Sequence, residues 1–407
     1  MRYQLSSPQL QFYRMDKVAK GSATTITGSV LSDGNGNRNS IMSAIRKLYA
    51  INDALRLRII DSEMYPYQEV VQENYYSVIE ECMTFQTKAE MHEFAEKLAK
   101  ERISLQGSLC RIIGIRIKND HFGVMIHYHH IIGDALSSVL IGKQFFELYR
   151  NIENGLEEKK KVNSFLSCIS NLELYRKSEN YIHDREYWLK EYQLALTIPK
   201  MKYKWDTFNG KRYFIEVEQE TAQILKRMCE KHNLSLYEVF STAVCIYQCR
   251  RNRTNICSLG TKVSNRKTVM EKQTVGVFSN ALPLFLKFDL NSSFIECVDQ
   301  LHIKKNEVAQ HQNYNYLDVK REFPKEDSNH LSLFDIYVSY QEIDMEGYDT
   351  HWYFSGQQLI PMKITIGKYY QHNSYLFIYD YMLDVMDEHR IEAFHKLMME
   401  IIMKGLK

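Results

Sequence analysis

The stretch His127-Tyr-His-His-Ile-Ile-Gly-Asp-Ala135 decides how this chain is read. Ahead of its end, Phe122, Val124, Ile126 and Tyr128 occupy even positions while Met125, His127 and His129 occupy odd ones, the period-two signature of a half-buried strand. After Gly133-Asp134, the residues Leu136, Val139, Leu140, Phe145, Phe146 and Tyr149 recur at helical spacing. His130 therefore stands at the end of a core strand, in a turn that leads into a core helix. Such a turn is rigidly held yet open at one end. An imidazole there can be aimed into a cavity, and its ordinary pKa lets it take and return a proton near neutrality. The plain alternative for His130 is a satisfied core histidine.

The rest of the chain alternates helical and strand patterns in both halves. Ser6 or Ser7 with Pro8 reads as the capped start of a first helix, Thr24 to Leu31 as a strand, and Ile41, Ala44, Ile45 and Leu48 as one face of a helix leading into Asn52-Asp-Ala-Leu-Arg56. Met91 to Leu98 predicts a helix and Cys110 to Ile117 a strand. Asn151 to Asn163 is polar and charge-dense, as a solvated loop between lobes would be. Beyond it come a long helix over Tyr175 to Tyr192, two more begun by Ala222 and Leu236, strands at 256–263 and 281–288, and a helix at 294–310. Strands at 334–340 and 375–381 precede a last helix. No repeat of solenoid period is present. The pattern predicts two α/β lobes joined near residues 155 to 175.

Composition bounds the function. A chain of 407 residues exceeds one ordinary core, and 44% hydrophobic with 25% charged residues is a globular balance. A formal net charge of +2 without a basic tail argues against nucleic acid as a partner. Met1-Arg-Tyr-Gln-Leu5 lacks an apolar core of signal-peptide length, and nowhere do about eighteen apolar residues run together. The expectation is a cytoplasmic protein with no membrane span. Its eight cysteines are scattered beside apolar residues, as reduced core thiols would be. Cys245 and Cys249 stand four apart with no second pair to complete a zinc site, and read as core.

Several stretches, in order, resemble the motifs of nonribosomal-peptide condensation domains, within the chloramphenicol-acetyltransferase-like superfamily. His129-His-Ile-Ile-Gly-Asp134 is similar to the signature His-His-x-x-x-Asp-Gly. Ser6-Ser-Pro-Gln9 with Phe12-Tyr13 resembles the opening Ser-x-Ala-Gln segment, and Asn52 to Arg56 the Arg-His-Glu-x-Leu-Arg segment. Tyr187-Trp188, Val275-Gly-Val-Phe-Ser-Asn280, His311-Gln312 and Phe334 to Gln341 resemble the family's Tyr-Trp, Ile-Gly-x-Phe-Val-Asn, His-Gln and Phe-x-Val-x-Phe-x-x-Gln. Three departures stand out: Ala135 replaces the glycine after the motif aspartate, Pro8 an alanine, and Leu57 and Ile59 a Thr and a Phe. Gly260 to Arg266 does not match the Glu-Gly-His-Gly-Arg-Glu of epimerisation domains, and heterocyclisation domains carry aspartate for the first histidine.

The resemblance implies two chloramphenicol-acetyltransferase-like lobes, α+β two-layer sandwiches forming a V-shaped pseudo-dimer: residues 1–165 with the histidine motif, and 166–407 with latch and bridging segments. It implies His130 as the catalytic group, meeting donor and acceptor in a tunnel between the lobes. His129 and Gly133 support the motif, and Asp134 is implied to form a structural ion pair with Arg56. Ser279 and Asn280, with Tyr337 and Ser339, are candidate tunnel residues, although strand packing serves them equally. The implied reaction joins an acyl or aminoacyl thioester to an amine. Nothing in it calls for a bound cofactor or a metal; the phosphopantetheine arm of an acyl or peptidyl carrier protein, or coenzyme A, enters as part of the donor. The chain shows no phosphate loop, adenylation segment or carrier serine segment, so the expectation is a free-standing monomer served by a carrier in trans. Three alternatives stay open: an O-acyltransferase acting on an alcohol, a silent member of the fold that docks carriers, and a metal site at His127, His129 and Asp134.

Overall fold

The computed structural model describes residues 2–62, 66–72, 81–118, 120–156, 163–170, 172–199, 207–289, 291–315, 318, 333–341, 345–369 and 374–407. The core of the charged stretch near Glu157 to Lys161 lies outside the described residues. Spatial proximity divides the chain into two units, one of Met1–Ser178 with Ser264–Ser279 and Asp344–Gln357, the other of Glu179–Val263, Asn280–Ile343 and Gln358–Lys407.

Unit 1 begins with β1 (Tyr3–Gln4), α1 (Ser7–Ala19), β2 (Thr25–Asp33), α2 (Arg38–Ile51), β3 (Leu57–Ile60), β4 (Tyr67–Val70), β5 (Cys82–Phe85) and α3 (Lys88–Ala99). It continues with β6 (Cys110–Ile117), β7 (His121–His129), α4 (Ala135–Glu153), α5 (Phe165–Ile169) and α6 (Leu172–Arg176). Unit 2 takes α7 (Glu179–Ala195), β8 (Gly210–Glu216), α8 (Gln219–His232), α9 (Leu236–Asn252) and β9 (Ile256–Val263). The chain then returns to unit 1 for the short α10 (Val269–Lys272), and goes back for β10 (Asn280–Lys287), α11 (Phe294–Gln310) and β11 (Ile336–Tyr340). It returns once more for β12 (Asp349–Tyr353) and finishes unit 2 with β13 (Met362–Tyr369), β14 (Ser374–Met382) and α12 (Glu388–Gly405).

The sequence reading ends the first lobe at residue 165, whereas the spatial division falls at 178/179. The reason is local. Asp53 accepts the Ser164 hydroxyl and the Phe165 and Leu166 N–H groups, Phe165 is fully buried, and Arg176 donates to the Gln4 side chain. These bonds hold α5 and α6 to unit 1.

The central sheet of unit 1 has the order β12-β2-β7-β6-β5, antiparallel except for the β5–β6 pair. β7 pairs with β2 through Thr27↔His127 and Thr25↔His129. The alternation along β7 is real, but the strand is buried on both faces from Gly123 to His129, not on one. Val124, Ile126 and Tyr128 enter the core shared with α2 and α4, while Met125 packs with Met91, Ala95 and Leu98 of α3. A second helix layer covers the face that alternation alone leaves open. Unit 2 is built on a six-stranded sheet, β10-β9-β11-β13-β14-β8, with parallel pairs only on either side of β11. Its core joins Trp188 to apolar residues of α8, α9, α11 and α12. Mixed α/β layers in both units agree with the predicted class. The strands β1, β3, β4, β5, β8, β12 and β13 have no counterpart in the sequence reading.

The buried odd face of β7 has a thermodynamic consequence. Burial, helped by the nearby Arg111, pushes His127 down to about 4, and its Nδ1 faces Thr27 Oγ1 at 2.9 Å. An unfolded histidine takes up its proton near pH 6.5. Between about 6.5 and 4 the unfolded chain therefore binds more protons, and stability falls as pH drops. His127→Asn should flatten the decline of Tm over that range, read by scanning fluorimetry; a slope equal to wild type would show that His127 does not contribute.

Candidate active site

The turn after β7 is fixed from four directions. The first is backbone: the His130 N–H donates to the Thr24 carbonyl at 2.7 Å, and Ile132 N–H to the His129 carbonyl. The second is His129, which is fully buried. Its Nδ1 accepts the Ile131 N–H at 3.0 Å, which leaves Nε2 to carry the proton toward Thr24 Oγ1 at 3.0 Å and Asp16 Oδ1 at 3.5 Å. Burial holds the His129 pKa below the ordinary value, so this imidazole is neutral with a set tautomer. Burial pushes the Asp16 carboxyl up, but the hydrogen bonds from His129 and Arg102 outweigh it and hold it low.

The third anchor is α1. Ser6 caps the helix and forms a reciprocal capping box with Gln9, whose amide also reaches the Ile131 carbonyl at 3.2 Å and pairs with the Gln68 amide. One turn on, the Phe12 ring stacks on the His130 imidazole, with centroids 3.8 Å apart and planes 15° apart. His130 itself is half-buried. It is held in plane by a neighbour, yet it is not sealed in the core.

The fourth anchor is Asp134, 2% exposed at the N-cap of α4. Its Oδ1 accepts the Ser137 N–H and hydroxyl and the Arg266 guanidinium, each at 3.0 Å. Its Oδ2 accepts the Phe278 and Ser279 N–H groups, both at 3.1 Å. The cation is Arg266, not Arg56. Arg56 follows α2, and its guanidinium takes the carbonyls of Tyr49 and Ala50 at 2.8 and 3.2 Å, closing helix-end acceptors that lack intrahelical donors, and the carbonyl of Val71 after β4 at 3.0 Å. That work leaves it no bond to Asp134. Arg266 is 6% exposed, lies over the Phe278 ring at 4.1 Å, and also donates to the carbonyls of Glu271, Thr274 and Gly276. The buried aspartate does have a cation, as a charge withdrawn from water requires. The residue that supplies it comes from the returning segment 264–279.

Gly133 is needed for space: a Cβ there would meet the Tyr128 ring at 2.9 Å, where the Tyr128 hydroxyl donates to the Asp134 carbonyl. Ala135 opens α4, a position with no demand for glycine's conformational freedom. Ser279 serves through its backbone N–H. Asn280, Tyr337 and Ser339 belong to unit 2: Asn280 opens β10 and donates to the Gln312 carbonyl, and Tyr337 and Ser339 project from one face of β11, where Ser339 meets Thr365 at 3.4 Å. Another pair of motifs comes together there. Trp188 Nε1 donates to the His311 carbonyl at 2.9 Å, the Tyr187 ring stacks on His311 at 3.9 Å, and His311 Nδ1 lies 2.7 Å from Asp184. As for the metal alternative, His129 and Asp134 spend their side chains on the protein bonds above, and the ligand atoms of His127, His129 and Asp134 do not come together as a group that could share an ion.

A profile of the condensation-domain family matches residues 1–401. The chain belongs to the condensation-domain family. Members of this family form amide bonds between carrier-bound donors and acceptors. Among curated relatives, this condensation domain is 22% identical to surfactin synthase subunit 1 of Bacillus subtilis (strain 168) over 379 residues, covering 90% of this chain and 11% of that one. It is 23% identical to gramicidin S synthase 2 of Aneurinibacillus migulanus over 367 residues, covering 85% of this chain and 8% of the relative. The chain thus spans a small part of the relatives it matches. Its fold is that of solved condensation domains: the first one of the calcium-dependent antibiotic synthetase (TM-score 0.81, 17% identity, 100% of this chain and 97% of that one). A variant starter condensation domain of rhizomide synthetase RzmA, in complex with C8-CoA, gives TM-score 0.83 at 17% identity, covering 100% of this chain and 95% of that one. Among the described residues no helix is long and apolar enough to cross a membrane.

Sequence reasoning missed Arg266, Ser137, Thr24 and Asp16. Only Arg266 left a signal: it stands nine residues before the Val275-Gly-Val-Phe match, in a chain that owes Asp134 a cation. A double-mutant cycle distinguishes the two arginines. Asp134→Ala and Arg266→Met should each lower stability, on the order of 3–5 kcal/mol where a buried pair is broken, and the double variant should lose less than the sum. Asp134→Ala combined with Arg56→Ala should be additive in chemical denaturation.

Proposed function

We propose that this condensation domain transfers an acyl or aminoacyl group from a thioester to a small-molecule amine, with His130 handling the amine's proton. The donor rides on the phosphopantetheine arm of a carrier protein supplied in trans, or on coenzyme A, and no bound cofactor takes part. The observation that carries the reading is the half-buried His130, stacked on Phe12 in the turn between β7 and α4. A cytoplasmic, monomeric enzyme is part of the proposal.

The chemistry asks little more. A thioester is already activated, so neither ATP nor a metal is required for aminolysis. The amine must be unprotonated, close to the carbonyl, and relieved of its proton as the tetrahedral intermediate collapses. His130 accepts that proton, or hydrogen-bonds the zwitterionic intermediate, from a ring whose plane Phe12 sets. Asp134 does not touch the reacting atoms in this scheme; it holds the helix start on which the turn rests.

His130→Ala should keep the fold and lose about a hundred- to ten-thousand-fold in turnover, measured by intact-protein mass spectrometry of acyl-loaded carriers with an amine pool. Turnover within a few-fold of wild type would remove His130 from the mechanism. Raising pH toward 9 should partly rescue the variant, because base then supplies free amine. A variant equally dead at pH 7 and 9, with a product cleaved by mild hydroxylamine, would favour ester formation from an alcohol, whose proton must leave during attack.

Phe12 is a positioning residue in this scheme. Phe12→Leu keeps apolar volume but removes the stacked plane, so kcat should fall several-fold with KM within about twofold. In the His130→Ala background the same change should cost nothing further; an equal loss there would mean that Phe12 acts apart from His130.

A further inference from the structure

Unit 2 carries a cleft of about 920 Å³ where the C-terminal ends of α9 and α12 meet the start of α11. That volume lies within the range of small-molecule sites, roughly 300–1,000 Å³. One part of its wall is apolar, Ile246, Phe288, Phe294 and Ile401, with Leu397 left 39% exposed at its side, and it adjoins the polar Thr254, Asn255 and Ser292. The wall is closely built, since the Phe294 ring lies so near Gly405 that a Cβ there would fall 2.4 Å from it.

Three cations line the same cleft, Arg250, Arg253 and Lys404, and all are exposed. Cations at helix C-termini ordinarily complement the helix dipole. Here, however, they come from the ends of two helices and converge on one apolar hollow. None of the three side chains has an ion-pair or hydrogen-bond partner among the described residues, and Glu400, one helical turn before Lys404, makes no ion pair with it. The other acid of the lining, Asp289, accepts the Asn291 N–H. Arg253 is also held at φ 51°, a left-handed position that glycine or asparagine fits more readily. An apolar wall beneath unpaired cations is complementary to a molecule with an apolar body and an anionic head.

We propose that this cleft is a binding site for a small amphiphilic anion, a carboxylate or phosphate on an apolar body about as long as a medium acyl chain. The site is distinct from the His130 turn, which lies in unit 1, and the proposal stands independently of the assigned reaction. The geometry divides the work: Phe288 and Ile401 cover the apolar body, and the two arginines with Lys404 draw the head group to the rim.

Isothermal titration calorimetry on the full chain, below micellar concentrations, tests it with octanoate and octyl phosphate as probes. Octyltrimethylammonium and octyl glucoside serve as cationic and neutral controls. At least one anion should bind saturably at one site, at least tenfold more tightly than either control. The paired change Arg250→Glu with Arg253→Glu should weaken it at least tenfold. Ser292→Trp, which fills the cleft without touching a charge, should do the same and stands in if the charge reversal fails to fold by circular dichroism. A tighter octanoate or a tighter octyl phosphate assigns the head group. Absence of saturable anion binding, equal affinity for the neutral glucoside, or wild-type affinity in a folded variant would each overturn the proposal.

Discussion

The structure around His130 depends on one buried carboxylate. Asp134 accepts five donors, two from its own helix start, two backbone N–H groups of Phe278 and Ser279, and the guanidinium of Arg266. A charge so fully withdrawn from water is tolerable only when every lone pair is met. The requirement runs in both directions. The carboxylate caps α4 and so fixes where strand gives way to helix, and it orders the segment 264–279, whose extended and turning backbone would otherwise leave N–H groups unmet. Arg266 completes the arrangement by gathering three carbonyls of that segment while paired to Asp134.

Within that frame, adjacent histidines take opposite parts. Strand geometry turns successive side chains to opposite sides. His129 points inward to Thr24 and Asp16, with Nδ1 closed by the Ile131 N–H. Its protonation is set by burial, and it acts as a fixed strut. His130 leaves the strand, keeps part of its surface open, and is bounded on one side by Phe12. The first helix thus contributes twice to the turn, through Gln9 to the Ile131 carbonyl and through Phe12 to the imidazole plane. A motif at residues 6–13 and one at 129–134 are parts of one construction.

The strand, turn and helix around residue 130 were legible because local periodicity reports on neighbours close in sequence. Glycine at 133 follows from the same region, where the Tyr128 ring leaves no room for a Cβ. The resemblance also implied that Asp134 pairs with an arginine. Which arginine meets it was not legible. Arg56 and Arg266 are chemically identical, and the choice was made by the carbonyls at the end of α2, which claim the first and leave the second.

The same physical reason accounts for the rest. β12 joins the unit 1 sheet by main-chain hydrogen bonds to β2, and main-chain bonding at a sheet edge leaves little mark on side-chain pattern. The double burial of β7 depends on α3 packing over its odd face, a contact between elements far apart in sequence. The sequence by itself determined the alternation of helices and strands and the turn that carries His130. Tertiary structure alone decided which distant segment does the neutralising and which faces stay dry, because those outcomes depend on groups that meet only when the chain has folded.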